Sequence, residues 1–388
     1  MKVALVYDRV NKWGGAERVL LALHRLWPDA PLYTAVYDAK RAAWADVFSV
    51  RTSFLQHIPF AKRSHESLAL FTPMAFETFS FDGMDVVISV TSADAKNVIT
   101  KPGTVHICYC LTPTRYLWSG YLQYQKNPGL GLWNSVASFG LRTFGPMLKR
   151  WDLVASKRPD YYIAISNRVK TRIETYYDQP VYAVVPPPVD TRRFKPQRAM
   201  QRSAYQDLGK GESGRTKRKG NYFLTVSRLV SYKRVDILIH AFNRLKLPLV
   251  IIGDGHQKKE LMSIAGETIT FVDHHLTESE LVRYYEGCRA FVFAADEDFG
   301  LVAAEAQACG IPVIAYRNSG VSEIVADGVS GLLFDRQTPE AIIKTVRAFG
   351  RMRFSASDCR AQVTHMSESK FSDTMKHIVT ELVKKEHI

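Results

Sequence analysis

Two carboxylates, Glu297 and Glu305, enclose Asp298, Phe299, Gly300, Leu301, Val302, Ala303 and Ala304. Upstream, Arg289 to Ala294 reads as a buried strand. Downstream, Leu301 to Cys309 reads as a helix stopped by Gly310 and Pro312. The acidic residues therefore fall where a strand gives way to a helix. In an open parallel sheet this is the end at which ligands bind. A helix N-terminus there offers N–H groups and partial positive charge, which suit phosphate. Acid at this place is also what a plain helix cap needs. Glu305 does not fit the cap reading, because it lies about two turns further along an otherwise apolar run. A carboxylate there calls for a partner or a ligand.

A second group of chemistry-bearing residues follows another strand-like run, Phe223 to Val226. Its loop, Ser227 to Lys233, carries Arg228 and Lys233 and leads into a helix over 235–244. Gly253, Asp254 and Gly255 end the next strand, Leu249 to Ile252. If the strands before Arg228 and Glu297 are neighbours, two cations and a helix N-terminus converge on one diphosphate. The two carboxylates then accept hydrogen bonds from hydroxyls. That combination suits a sugar carried on a nucleoside diphosphate.

The elements that must position these residues alternate strand and helix along the chain, which predicts an α/β fold with parallel sheets. The first strand, Val3 to Tyr7, leads through a loop holding Gly14 and Gly15 into a helix with Ala16, Val19, Leu20, Leu23 and Trp27 on one face. Strand, glycine turn, helix opens a doubly wound unit, and the glycine pair either lets backbone approach a ligand or makes a plain tight turn. No G-x-G-x-x-G is present, so a dinucleotide fingerprint is not supported. Strand-like runs at 32–37, 85–90 and 106–110 follow, and polar loops at 91–96 and 111–116, the latter with Arg115, end the last two. Further strands are expected at 161–166 and 181–185, and then at 269–272 and 311–315. The prolines at 186–188 end the first half. Residues 197–219, rich in Gly, Lys and Arg, read as an exposed linker. The expected division is an N-terminal domain 1–196, the linker 197–219, a C-terminal domain 220–368, and a terminal amphipathic helix 369–388 that packs back on the first domain.

Length and composition agree with two globular domains: 388 residues, 46% hydrophobic and 23% charged. No apolar run is fit to span a bilayer, and the start of the chain is too short and too soon charged for a signal peptide. Five cysteines without a C-x-x-C pair argue against metal or redox use and fit a reducing, cytoplasmic setting. The net charge of +14 favours an anionic partner. Nucleic acid is not supported, since no nucleic-acid-binding motif is present. Residues 118–157 mix Tyr121, Tyr124, Trp133, Phe139 and Phe144, with Leu148 and Trp151, among Arg142, Lys149, Arg150 and Lys157. With the smaller cluster at Phe60 to His65, they suggest a face for an anionic membrane surface, although an ordinary helix pair with solvated bases has the same composition.

Nearly the whole chain resembles the GT-B glycosyltransferases of family 4, a retaining class. The resemblance is carried by the E-x7-E pair Glu297 and Glu305, by Ser227, Arg228 and Leu229 with Lys233, by Gly253-Asp254-Gly255, by Gly14-Gly15-Ala16-Glu17, and by Pro187 to Asp190 with Arg193 and Phe194. The Glu-Asp-Phe-Gly form at Glu297 and the segment His106 to Tyr116 resemble a mannosyltransferase subgroup of surface polysaccharide synthesis. The resemblance implies two Rossmann-like doubly wound domains facing across a cleft, and transfer of a hexose, first of all mannose from GDP-mannose, to a glycan or polyprenyl-linked acceptor; the basic, aromatic face of the first domain suggests that this acceptor is met at the inner face of the membrane. The resemblance also implies that Arg228 and Lys233 neutralise the donor diphosphate and that Glu297 holds the donor sugar. Asp298, Phe299, Gly300, Leu301 and Gly253 would line the donor, and Glu305 would bind the ribose. Gly14, Gly15 and Arg115 would serve the phosphates or the acceptor. No metal or other cofactor is implied. Relatives often carry His at the position of Leu111, and this departure keeps a non-catalytic nucleotide-sugar-binding protein as an alternative, alongside another GT-B activity with a UDP-sugar. The E-x7-E spacing argues against an epimerase, and the absence of a pyridoxal-lysine context argues against a phosphorylase.

Overall fold

The computed structural model of the protein describes residues 1–59, 61, 68–126, 134–196, 222–274 and 276–386. The chain forms two compact units, one of Met1–Pro188 with Ser369–Ile388, the other of Val189–Glu368. The division thus falls at Pro188, not at residue 196. The expected linker 197–219 lies outside the described residues, as do Trp133 and most of the Phe60–His65 cluster.

In the first unit, seven parallel strands are β1 (Val3–Tyr7), β2 (Leu32–Thr34), β3 (Val50–Thr52), β4 (Val86–Thr91), β5 (Val105–Cys110), β6 (Tyr161–Ala164) and β7 (Val181–Val184), in the order β3-β2-β1-β4-β5-β6-β7. Strands β1, β4 and β5 are buried at every position, as strands covered by helices on both faces must be. His106 belongs to this core. Its Nε2 lies 2.9 Å from Ser89 Oγ, and burial lowers its pKa to about 3. It therefore does not stand in for an imidazole at Leu111. The terminal helix Glu368–Glu386 buries Phe371, Met375, Ile378, Val379 and Leu382. Phe371 meets the ring of Tyr109 edge-on at 5.9 Å, within this same unit.

Strand order reverses between β1 and β4, and one carboxylate holds the two strand ends there. Asp8 Oδ1 accepts from Thr91 Oγ1, Asp94 N and Ala95 N, and Oδ2 accepts from the backbone and hydroxyl of Ser92. Behind this turn, Lys96 and Asp152 form a buried ion pair, Nζ to Oδ1 at 2.5 Å. The ammonium also donates to Ala93 O and Thr114 Oγ1, and Asp152 accepts from Thr114 Oγ1 and Trp118 Nε1. Burial alone would pull the Lys96 ammonium down, but Asp152 and Asp94 more than reverse it. The pair ties the loops after β4 and β5 to the helix Asn134–Ala155.

The second unit has six parallel strands: β8 (Phe223–Val226), β9 (Leu249–Ile252), β10 (Ile269–Val272), β11 (Ala290–Phe293), β12 (Val313–Tyr316) and β13 (Gly331–Phe334), in the order β10-β9-β8-β11-β12-β13. Its reversal lies between β8 and β11, which pair directly through Ala290 with Phe223 and Phe291 with Leu224. The core between sheet and helices is apolar, with Leu238, Phe242, Ile251, Val292, Ile314 and Ile342 among its members. β3 and β13 are edge strands that sequence patterning did not give.

Breaking the buried pair from one side leaves a charge without its partner. Lys96→Met is expected to destabilise the protein by about 3–5 kcal/mol in urea denaturation. Lys96→Met with Asp152→Leu should recover a large part of that loss. Equal destabilisation of single and double variants would show that the pair is not the source.

Candidate functional site

The loop after β8 is shaped by close backbone contact with the loop after β9. Ser227 N donates to Ile252 O and Leu229 N to Asp254 O. Gly253, at φ +148°, lies so close that a Cβ there would come within 1.8 Å of Ser227 O. A side chain at this position would push the Arg228 loop away. Beyond Arg228 a 3-10 turn over Ser231–Lys233 ends in Arg234, whose φ of 52° is left-handed. A non-glycine residue in that region is held there by its surroundings, and it starts the helix Val235–Leu245 directly after Lys233.

The loop after β11 holds Glu297 and Asp298. The helix Leu301–Ala308 has as its N-cap Gly300 at φ 97°, a left-handed conformation that suits glycine. The glycine thus holds the cap position itself, and Glu297 and Asp298 precede it in the loop. Gly320 N donates to Glu297 O at 2.7 Å. A Cβ on Gly320 would lie 2.2 Å from Asp298 O, so the turn after β12 presses directly on the acidic loop.

Because β8 and β11 are neighbours, the two loops meet. Lys233 Nζ is hydrogen-bonded to Glu297 Oε1 in an ion pair that is only partly exposed. The ammonium also lies 5.5 Å from the centre of the Phe293 ring and 5.3 Å from that of Tyr232. Arg228 donates to the Tyr232 hydroxyl and lies 5.8 Å from the same ring. Tyr232 and Phe293 thus hold both cations at the end of β8 through cation–π contact. Sequence reading passed over both, although Tyr232 stands next to Lys233. Asp298 and Phe299 are buried, and Leu301 is half-buried at the helix start. Glu305 is 2% exposed, and its Oε2 is hydrogen-bonded to the Tyr285 hydroxyl at 3.1 Å. Tyr285 comes from the helix Glu278–Gly287, and no spacing in the sequence links it to Glu305. All the C-terminal residues singled out from sequence, Gly253 included, belong to this one unit.

Gly14, Gly15 and Arg115 belong to the other unit. Gly14 is extended backbone at φ −175°, a conformation open to any residue, and it precedes the helix Gly15–Leu26. In the first turn of that helix the buried Glu17 accepts from the Tyr7 hydroxyl at 2.7 Å. Burial raises the Glu17 pKa. Arg115 is half-buried in the loop after β5. Nearby, burial pushes the Asp94 carboxyl up to about 7, against the pull of Lys96 and Arg9.

Comparison with known proteins agrees with this geometry. The family model for glycosyl transferases group 1 matches residues 211–364. A D-inositol 3-phosphate glycosyltransferase of Frankia alni is 32% identical over 182 residues, 42% of this chain and 43% of that protein. A GDP-mannose-dependent alpha-(1-6)-phosphatidylinositol monomannoside mannosyltransferase of Mycolicibacterium smegmatis is 32% identical over 183 residues, 42% of this chain and 45% of that protein. The chain thus spans less than half the length of these relatives. The structure of Anabaena Alr3699/HepE with UDP and glucose superposes with a TM-score of 0.70 at 16% identity, covering 98% of this chain and 99% of that one. This shows that both units have the GT-B fold.

The raised Asp94 pKa has a measurable consequence. Between pH 4 and 7 the unfolded chain has lost the Asp94 proton and the folded chain keeps it. The stability of wild type relative to Asp94→Asn is therefore expected to fall by about 1.4 kcal/mol per pH unit over that window and to level off above pH 7. Parallel stability curves for the two proteins between pH 4 and 8 would contradict the assignment.

Proposed function

We propose, for a chain whose residues 211–364 match the family model for glycosyl transferases group 1, that it transfers a hexose from a nucleoside diphosphate to a glycan or polyprenyl-linked acceptor. The observation that carries this reading is the meeting of Arg228, Lys233 and Glu297 at the strand-order reversal of the second unit. Arg228 and Lys233 take the donor diphosphate and hold its charge as it leaves, an electrostatic role in which no metal is invoked. The backbone of Phe299, Gly300 and Leu301 meets sugar and phosphate at the start of the helix. Tyr285 holds one oxygen of Glu305, which orients the carboxylate for the ribose hydroxyls.

Without donor, Lys233 and Glu297 neutralise each other. An arriving diphosphate replaces Glu297 as the counter-ion of Lys233. The freed carboxylate then accepts from hydroxyls of the donor hexose. Transfer proceeds with retention by front-face attack, the leaving phosphate taking the acceptor proton. Mannose from GDP-mannose is the first choice of donor, supported by the resemblance of the Glu297 loop and by the GDP-mannose-dependent Mycolicibacterium relative.

The acceptor is met at the inner face of an anionic membrane, on the helix Asn134–Ala155 of the first unit. Val136, Phe139, Met147 and Val154 are exposed on that helix, Phe139 by 69%, with Arg142 and Arg150 beside them. The face differs from the composition-based one: Leu148 is buried, Trp151 donates to Glu77, and Lys149 lies over the rings of Trp118 and Tyr121. Four such side chains entering lipid contribute about 1.5 kcal/mol or more each, and two cations about 1 kcal/mol each near an anionic surface. Among the described residues no helix is long and apolar enough to cross a membrane.

A donor panel tests the transfer reading. GDP-mannose, UDP-glucose, UDP-galactose and UDP-N-acetylglucosamine are read by thermal shift and slow hydrolysis. One donor should stabilise wild type and be hydrolysed, with both effects reduced at least tenfold in Glu297→Ala and Arg228→Ala. Silence towards every nucleotide would remove the reading. For the membrane face, flotation with phosphatidylglycerol-containing vesicles should retain wild type and release Phe139→Ser/Val136→Ser. Equal flotation of the two would place the contact elsewhere.

A further inference from the structure

The segment Pro187 to Asp190 with Arg193 and Phe194 stands out in the sequence, yet the site described so far makes no use of it. It is where the chain enters the second unit, at Val189. Val189 N donates to Met366 O at 2.8 Å, and Val189 pairs with Ser367, just before the chain leaves that unit. Asp190 then closes a tight turn. Its Oδ1 accepts from the backbone of Arg192 and Arg193, and its carbonyl accepts from Phe194 N at 2.9 Å.

This turn is tied to both helices that make up the surroundings of Glu305. Arg193 forms an ion pair with Glu278, the first residue of the helix Glu278–Gly287. The buried ring of Phe194 meets the ring of Tyr285, from the same helix, edge-on at 6.0 Å and 77°. Arg360, from the helix Ala356–Ala361, gathers backbone from both sides. Its Nη1 donates to Phe194 O at 3.0 Å and to Ala308 O at 2.7 Å, and its Nη2 donates to Thr191 O at 2.8 Å. Ala308 is the last residue of the helix that carries Glu305. Phe194 therefore meets one helix with its ring and is linked to the other through its carbonyl.

The two helices come together at the Tyr285 hydroxyl, which lies 3.1 Å from Glu305 Oε2 and 3.1 Å from Val302 O. A phenol has one proton to donate. With two acceptors at equal reach, a small displacement of the ring decides which of them receives it. Edge-on aromatic contact has a preferred geometry, and close-packed interiors transmit such displacements. Glu305 is 2% exposed, so it presents little of itself to a ligand, and its direction decides what it can accept.

We infer that the turn Asp190–Phe194 is a positioning element for the donor nucleoside: Phe194 sets the Tyr285 ring, and the Tyr285 hydroxyl sets the direction in which Glu305 meets the ribose hydroxyls. This rests on the transferase reading and adds to it the residues that decide how well ribose is told from a deoxy sugar. Phe194 and Arg193 act through Tyr285 and its helix and do not touch the donor.

Isothermal titration of the full chain with GDP and UDP, each beside its 2′,3′-dideoxy analogue, tests the inference. Wild type should bind one of the ribonucleotides about tenfold or more tighter than its dideoxy form, because the hydrogen bonds to a charged carboxylate go with the hydroxyls. Tyr285→Phe keeps the ring and removes the hydroxyl, and Phe194→Leu keeps the hydroxyl and releases the ring. Each should reduce the ratio to about threefold or less, through weaker binding of the ribonucleotide. Arg193→Gln, at a half-exposed position where the fold tolerates change, should lower it by about twofold. If Phe194→Leu does not fold, Tyr285→Phe and Arg193→Gln decide on the same ratio. A wild-type ratio in the folded variants, with only the melting temperature lowered, makes the turn a plain anchor of the chain and overturns the inference. Nucleotide binding by wild type without preference for ribose also overturns it and leaves the donor site standing. Absence of nucleotide binding from wild type removes the transferase reading and the inference together.

Discussion

A parallel sheet whose strand order reverses cannot cover its own end at the reversal. The crossover leaving the first strand goes to one face and the crossover arriving at the fourth comes from the other. No helix then lies across the two strand ends, and the loops there must be held by one another. The two units meet this constraint with different chemistry. In the second unit, backbone lies on backbone: Gly253 against Ser227, and Gly320 against Asp298, at separations that a Cβ would not permit. In the first unit a carboxylate, Asp8, gathers the loop after β4 by accepting five hydrogen bonds.

This difference sets the electrostatics of each reversal. Backbone contact brings no formal charge, so the second unit's reversal takes its charge from Arg228, Lys233 and Glu297. The aromatic rings of Tyr232 and Phe293 keep the cations near one another without neutralising them. The first unit uses a formal negative charge as its fastener, and further charges must balance it behind the turn. Lys96 does so while meeting Asp152. The cost appears at Asp94, whose carboxyl is pushed up to about 7 by burial and, to a lesser degree, by the nearby charges of Asp8 and Asp152.

Much of this was legible in the sequence where the signal is local. A strand followed by acid, glycine and an apolar helix placed Glu297, and a strand followed by Arg and Lys placed Arg228 and Lys233, because strand ends and helix starts leave marks within a few residues. Glu305 was visible as a charge on an apolar helix, but Tyr285, which holds it, comes from a different helix and leaves no mark. Gly320 and Gly253 look alike in sequence to glycines of ordinary turns, since close approach of two loops is a tertiary fact. Asp94 read only as part of a polar loop at 91–96, because its burial depends on what packs over it. Leu148 and Trp151 fell in a composition-based membrane face, but the turn of the helix directs one into the core and the other to Glu77. The edge strands β3 and β13 were missed for a similar reason: Val50 to Thr52 is short and half-exposed, without the apolar run that marks a central strand.

The pairing of Lys233 with Glu297 bears on how such a site would tell a donor from the product it leaves. A partly buried ammonium always needs a counter-ion. Exchanging a carboxylate for a diphosphate oxygen leaves that need met, so the exchange costs Lys233 little. Glu297 carries the difference. Displaced from the ammonium in a half-desolvated loop, it is uncompensated unless hydroxyls donate to it, and charged hydrogen bonds of this kind contribute about 1.5–3 kcal/mol. A diphosphate with a hexose attached supplies those hydroxyls. The same diphosphate after the hexose has gone does not, and Glu297 then competes to recover Lys233. One ion pair, placed by the adjacency of β8 and β11, would thus favour the loaded donor and help to expel the spent one.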